Sequence, residues 1–306
     1  MSFSQQSRPA LGISATERET GLGKDTLRVW ERRYGFPQPE RDANDERLYP
    51  AAQVDRLRLI KRLMDQGHRP GRLMAASEEE LQALYTPAAA PDRRDTVDDA
   101  LVRQLLALVK THDVPQLRSA LNQAMLRQGL QQFVLHSLAA LNHAVGEAWM
   151  SGEFEIFEEH LYTEQVQALL RQAISTLPAH SGSPRILLTT VPEEQHGLGL
   201  LMAEALLALD GATCVSLGTQ TPLFDIAMAA RSQQADVVAL SFSSAYPSRQ
   251  VAAQLAQLRA MLPDATELWA GGSGAGKPAA QAGVRALPTL PDALAALAAW
   301  REKHRE

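Results

Sequence analysis

Three hydrophobic patterns follow one another along the chain. The first is helical and short-ranged. Ile13 to Leu22 reads as a short helix closed by Gly21, and Gly23 to Gly35 as a second in which Leu27, Trp30 and Tyr34 recur at three and four residues. Two short helices joined by a glycine-containing turn form a helix-turn-helix. Prolines at 37 and 39, a polar tip from Asp42 to Glu46 and Arg47-Leu48-Tyr49-Pro50 then predict a hairpin wing, and Ala51 to Gln66 a third helix ending at Gly67. The second pattern, residues 95–178, is rich in Leu, Ala and Gln. It predicts four helices, Val97 to His112, Val114 to Gln128, Leu130 to Trp149 and Glu155 to Leu177, with apolar positions such as Leu101, Leu105 and Leu108 at bundle spacing. In the third pattern, short apolar runs at 185–191, 212–217, 236–242, 267–270 and 284–287 alternate with helices at 198–209, 222–233, 247–262 and 291–303. Such alternation predicts a parallel sheet, here in the order 2-1-3-4-5.

The expected architecture is therefore multidomain, α and α/β. It comprises a winged helix-turn-helix over 1–86, a linker over 87–96, a four-helix bundle over 97–178 and a doubly wound, Rossmann-like (flavodoxin-like) domain over 184–306. Length agrees, since 306 residues exceed one ordinary core. With no transmembrane-length apolar run and no apolar leader at the N-terminus, a soluble cytoplasmic protein without membrane partners is expected. The lone cysteine, Cys214, lies in a strand-like run and reads as a small core residue.

Charge is unevenly placed. The net charge is −5, yet residues 23–72 hold 12 Lys/Arg against 8 Asp/Glu. A basic module on an acidic body is the footprint of a domain that touches phosphates. On the second helix Lys24, Arg28 and Arg32 fall opposite the apolar face, where a recognition helix meets the major groove of duplex DNA. The run from Leu27 to Tyr49, with its Leu-Arg-x-Trp-Glu and Arg-x-Tyr pieces, resembles the MerR family of winged-helix regulators. That resemblance makes Arg28, Arg32, Arg41, Arg47 and Tyr49 the DNA-contacting positions of an operator-binding domain, most of them on phosphates.

The most specific signal lies downstream. An apolar run, Ile186 to Val191, is followed by Glu194-Gln195-His196-Gly197-Leu198-Gly199, which puts an imidazole at the carboxyl end of a parallel strand, where such sheets bind ligands. After Gly199 come 41 residues, then Ser241-Phe242-Ser243, then 27 residues, then Gly271-Gly272. This spacing resembles the cobalamin-binding domains of methionine synthase and the base-off mutases. It departs from them in Glu194, where many members have Asp, and in Ser243, where Leu is usual. By the resemblance His196 is the lower axial ligand to cobalt and Glu194 its hydrogen-bond partner, Ser241 and the Gly271-Gly272 turn let the displaced nucleotide tail run deep into the domain, and Gly199 and Ser243 are further cofactor-binding positions. The run Gly272 to Lys277 lacks P-loop spacing and reads as part of that tail loop.

Trp149 followed, after nine residues, by Glu159-His160 resembles the motif of the CarH and LitR photoreceptor regulators. The resemblance implies that the bundle caps the upper face of adenosylcobalamin, with the indole over the adenosyl group and Glu159 and His160 beside it. In light-responsive members a histidine after the tryptophan binds cobalt once the adenosyl group has left. Here that residue is Met150, a poor donor for cobalt(III), while His143 and His160 are the nearby imidazoles. The whole resemblance implies a non-enzymatic, DNA-binding repressor, a homo-oligomer (dimer or tetramer) in the dark, from which light releases DNA. Two alternatives remain open on the sequence: a light-insensitive sensor of cobalamin or redox state, favoured by Met150, and a cobalamin carrier subunit of a methyltransferase or mutase, disfavoured by the fused helix-turn-helix.

Overall fold

The computed structural model describes residues 10–65, 68–84, 99–178, 182–275 and 283–304, without the side chains of Arg62, Asp65 and Met150. The expected linker over 87–96, Gly67 at the end of the third helix, and Gly276-Lys277 of the tail loop lie outside the described residues. Two compact units are present.

The first unit is the winged helix-turn-helix. Helices α1 (Ile13–Thr20) and α2 (Lys24–Tyr34) each stop at a left-handed glycine, Gly21 and Gly35, whose backbone N–H groups donate to Glu17 and Glu31. The wing pairs β2 (Glu40–Arg41) with β3 (Arg47–Tyr49), and Asp42 Oδ1 accepts the N–H groups of Asn44 and Glu46 at its tip. Beyond the expectation, β1 (Leu11–Gly12) adds to β3, so the small antiparallel sheet runs β1-β3-β2. After α3 (Ala51–Asp65) come two further helices, α4 (Pro70–Ala75) and α5 (Glu78–Leu84). Leu73 and Leu81 from these join Leu27, Trp30, Leu57, Ile60 and Leu63 in one core.

The second unit begins with the bundle: α6 (Asp99–Lys110), α7 (Val114–Gln128), α8 (Leu130–Gln132), a π-helical segment (Phe133–Leu138), α9 (Ala139–Met150) and α10 (Ile156–Thr176). The third expected helix is thus interrupted by a wide turn. The sheet that follows, β5-β4-β6-β7-β8, is parallel throughout: β4 (Arg185–Thr189), β5 (Thr213–Ser216), β6 (Val237–Ser241), β7 (Glu267–Gly271) and β8 (Val284–Leu287). This is the 2-1-3-4-5 order, with its switch point between β4 and β6. Helices α11 (Leu198–Leu209) and α14 (Leu290–Lys303) share a core on one face, α12 (Leu223–Ser232) and α13 (Ser248–Met261) on the other.

The bundle and sheet do not have separate cores. Leu201, Met202, Ala205 and Leu206 of α11 are buried in the same apolar cluster as Leu105, Leu121, Phe133, Leu141 and Leu170 of the bundle. Helix α11 has apolar residues nearly all round because it is covered on two sides. Asn142 Nδ2 on α9 also lies 3.1 Å from Met202 Sδ. No helix of the described residues is long and apolar enough to cross a membrane.

Candidate functional site

The loop from β4 to α11 opens at the switch point, and its geometry centres on a buried carboxylate. Glu194 is 1% exposed, yet its Oε1 lies 2.7 Å from His196 Nδ1 and accepts the His196 backbone N–H at 2.9 Å. Its Oε2 accepts both the backbone N–H and the hydroxyl of Ser243 at 2.8 Å. Burial pushes this carboxyl up, but hydrogen bonds from His196 and Ser243 outweigh it and hold the group below the usual carboxylate range. An ionised Glu194 accepts only, so the proton of a neutral His196 sits on Nδ1 and the lone pair on Nε2. The imidazole itself is 62% exposed.

The other motif residues surround this loop. Where Gly199 would carry a Cβ, Ser241 Oγ is 3.7 Å away, so the start of α11 lies against the end of β6. Gly271 ends β7, and Gly272 turns with φ +90°. A Cβ on Gly272 would stand 2.4 Å from the carbonyl oxygen of Phe242. The glycine is therefore demanded by the chain's own close packing, a stricter reason than the ligand approach that the sequence suggests. Ser243 stands where the resemblance has leucine, and its hydroxyl faces both Glu194 and, at 3.0 Å, His196 Nδ1.

At the bundle, Trp149 is part-buried against the shared core near the end of α9, and Phe154 N–H donates to Ala148 O across the turn to α10. Glu159 and His160 stand in the first turn of α10. His160 is 72% exposed with Nδ1 at 2.7 Å from Glu159 Oε2, and Glu159 Oε1 accepts the Thr163 hydroxyl. The side chain of Met150 lies outside the described residues. His143 is paired with Glu147 at 3.4 Å. Further along, α10 reaches the sheet loop. Gln167 and Arg171 line a crevice of about 160 Å³ with Gln195, Gly197 and Thr219.

Two contributors escape the sequence motifs. Glu158, with its side chain only 3% exposed, binds Lys110 Nζ at 3.1 Å and His112 Nε2 at 2.9 Å, and accepts the Glu155 backbone N–H. Burial pushes its carboxyl up, while these bonds outweigh burial and hold it low. It anchors the first turn of α10, which carries Glu159 and His160. The capping box of Glu155 with Glu158 is a readable signal. Thr190 is the second, a buried threonine immediately after the aliphatic strand β4. A buried hydroxyl in such a run implies a partner in the neighbouring loop. Cys214 is part-buried, with its thiol pushed up to about 12 by burial, which suits a core residue.

In the first unit Lys24, Arg28, Arg32 and Arg41 carry accessible cations. Lys24 lies 3.7 Å from Glu17, Arg28 3.1 Å from Asp25, and Arg41 3.2 Å from Asp45. Arg47 is more enclosed and bonds Glu31 Oε2 at 2.8 Å, tying the wing to α2. Tyr49 differs from the expectation of a DNA-contacting side chain. It is 0% exposed, its hydroxyl has no hydrogen-bond partner among the described residues, and burial raises its pKa. Tyr49 pairs with Leu11 of the added strand β1 in the sheet register. Without accessible surface it offers no direct contact in this conformation.

Comparison with known proteins matches residues 11–75 to the MerR HTH family of regulatory proteins and residues 101–174 to the B12 binding domain. The chain is 29% identical over 266 residues to the HTH-type transcriptional repressor CarH of Myxococcus xanthus, covering 86% of this chain and 89% of that one. It is also 29% identical over 255 residues to the repressor CarA of the same organism, covering 83% and 84%. Among solved structures, the Methanosarcina barkeri monomethylamine corrinoid protein superposes on 66% of this chain and 99% of its own, with a TM-score of 0.54 and 15% identity, a likeness of fold.

Proposed function

We propose that this chain, which matches the MerR HTH family over residues 11–75 and the B12 binding domain over 101–174, is a DNA-binding transcriptional repressor of the cytoplasm, controlled by adenosylcobalamin and by light, and not an enzyme. The observation that carries the cofactor assignment is the Glu194–His196 pair. A neutral imidazole whose Nδ1 is held by a carboxylate presents a basic Nε2 to a metal. Among the described residues no group of three His, Cys, Asp or Glu side chains could hold an ion. One lone imidazole donor fits a metal that arrives inside its own macrocycle.

On this reading His196 would hold the cobalt through Nε2, and Gly199, Ser241, Ser243, Gly271 and Gly272 would help bind the cofactor around it. Trp149 would pack its apolar indole face against the cofactor, and Glu159 and His160 would hold polar groups beside it. Adenosylcobalamin, when bound, supplies a cobalt–carbon bond that visible light breaks. The bundle and α11 share one core, so a shift of the bundle is felt in the helix that follows His196. Such a shift is the route by which the chain's self-association changes. Linked DNA-binding heads gain avidity in the oligomer and lose it on dissociation, which releases the operator. Met150 after Trp149 favours one second reading, a regulator that senses cobalamin chemically and ignores light.

The test of the cofactor site is His196→Ala in the full chain. The wild type, labelled with ¹⁵N-histidine and loaded with cob(II)alamin, is expected to show nitrogen splitting from a protein histidine in its paramagnetic resonance spectrum. H196A is expected to lose that splitting, and a variant that retains it would move the axial ligand elsewhere.

A further inference from the structure

The loop that carries His196 is braced from one side by the segment between β5 and α12, residues 217–222. Thr190 stands at the centre of the brace. It is fully buried, donates its hydroxyl to the backbone carbonyl of Glu194 at 2.6 Å, and accepts the backbone N–H of Gln220 at 2.8 Å. Its own carbonyl accepts the Thr221 N–H at 3.0 Å. Next to it, Thr189 donates to Gly218 O at 3.0 Å and lies 2.7 Å from the Thr221 hydroxyl. The two loops also meet by shape. A Cβ on Gly197 would stand 2.9 Å from the Thr219 methyl, so the residue after His196 packs against the brace. Gln220 takes a left-handed φ of 60°, which turns its N–H toward Thr190 at a conformational cost that surrounding contacts offset.

We propose that Thr190 is a positioning residue for the axial ligand, and that loop 217–222 is its mount. The reasoning extends the reading of His196 as cobalt ligand and rests on it. Glu194 orients the imidazole through its side chain, so whatever fixes the Glu194 peptide fixes the ring. One hydroxyl joins that peptide to the brace, and removing it strands the buried C=O of Glu194 and the part-buried N–H of Gln220 together. Looser mounting spreads the imidazole over orientations of which few place Nε2 on the metal. The expected consequence is a lower fraction of histidine-ligated cobalt and cobalamin affinity weakened on the order of tenfold.

The experiment uses the full chain with ¹⁵N-histidine, loaded with cob(II)alamin, comparing wild type, T190V and T190S. Valine keeps the shape and removes the hydroxyl, while serine restores it. The expected result is reduced protein-nitrogen splitting and weakened affinity in T190V, with recovery of both in T190S. Full splitting with wild-type affinity in T190V overturns the proposal, as does weakened affinity with splitting intact. If T190V does not fold, G197A pushes the brace from the other side. It is expected to lower the splitting, with recovery when T219S removes the opposing methyl, and unchanged splitting in G197A overturns the proposal. Absence of histidine splitting in the wild type would overturn the cobalt–His196 reading itself, before Thr190 is in question.

Discussion

Ser243 carries two hydrogen-bond donors to one buried oxygen of Glu194, its backbone N–H and its hydroxyl. At a position where related domains carry leucine, the hydroxyl adds a bond to a charged acceptor. Such bonds contribute about 1.5–3 kcal/mol. Ser243→Ala keeps the backbone donor and is expected to destabilise the ligand-free second unit by about 1–2 kcal/mol in urea unfolding. An unchanged midpoint would mean that the hydroxyl is incidental. The Glu-x-His-x-x-Gly, Ser-x-Ser and Gly-Gly residues were legible because their spacing is linear in the chain. The Ser243 hydroxyl's role was not, since it depends on which strand ends meet at the switch point. Tyr49 marks the opposite case, where a motif position is legible but its burial, a property of the folded unit, is not.

At the scale of elements, the recognition helix and the first turn of α10 each invite a measurement. Arg28 is accessible on α2, and its ionic neighbour Asp25 is more exposed still. Arg28→Ala is expected to weaken operator binding at least several-fold and to reduce its salt dependence by about one counterion, without altering assembly. Intact binding in a filter or gel-shift assay would misplace the recognition helix. On α10, Glu158 has a folded pKa below its ordinary value near 4.5, so its stabilisation is present above that value and is lost as pH falls through the lower folded one. Glu158→Gln is therefore expected to cost about 1–3 kcal/mol at neutral pH. The gap from wild type should narrow as pH falls below the ordinary value and through the lower folded one. A gap that is the same at pH 3 and pH 7 would contradict the account.

Most helices and every strand of the parallel sheet were legible because periodicity is a local property. Helices α4 and α5 were not, since each offers one buried leucine, Leu73 and Leu81, to the core. The Ser77-x-x-Glu80 capping box before α5 was nonetheless readable, with its two reciprocal bonds at 3.1 and 2.8 Å. The π-helical segment Phe133–Leu138 leaves no comparable mark in the sequence.

Over the whole molecule, the feature that sequence did not disclose is the core common to the bundle and α11. Apolar residues all round a helix say that it is covered, not by what. That shared core gives the proposed signal a physical path from Trp149 and Glu159-His160 to the helix that follows His196, through packed side chains that transmit displacement rather than absorb it. A ligand biases assembly only through different affinity for the two assembled states. The account therefore requires that the chemical state of the bound cobalamin and oligomer size change together.

The most direct test is gel filtration of the full chain with adenosylcobalamin, run in the dark and after green light, with visible absorbance followed across the peak. The account predicts a coloured oligomer that becomes a smaller coloured species on illumination. A coloured peak of the same size in both runs would contradict light control, and a colourless protein peak would contradict cobalamin binding itself.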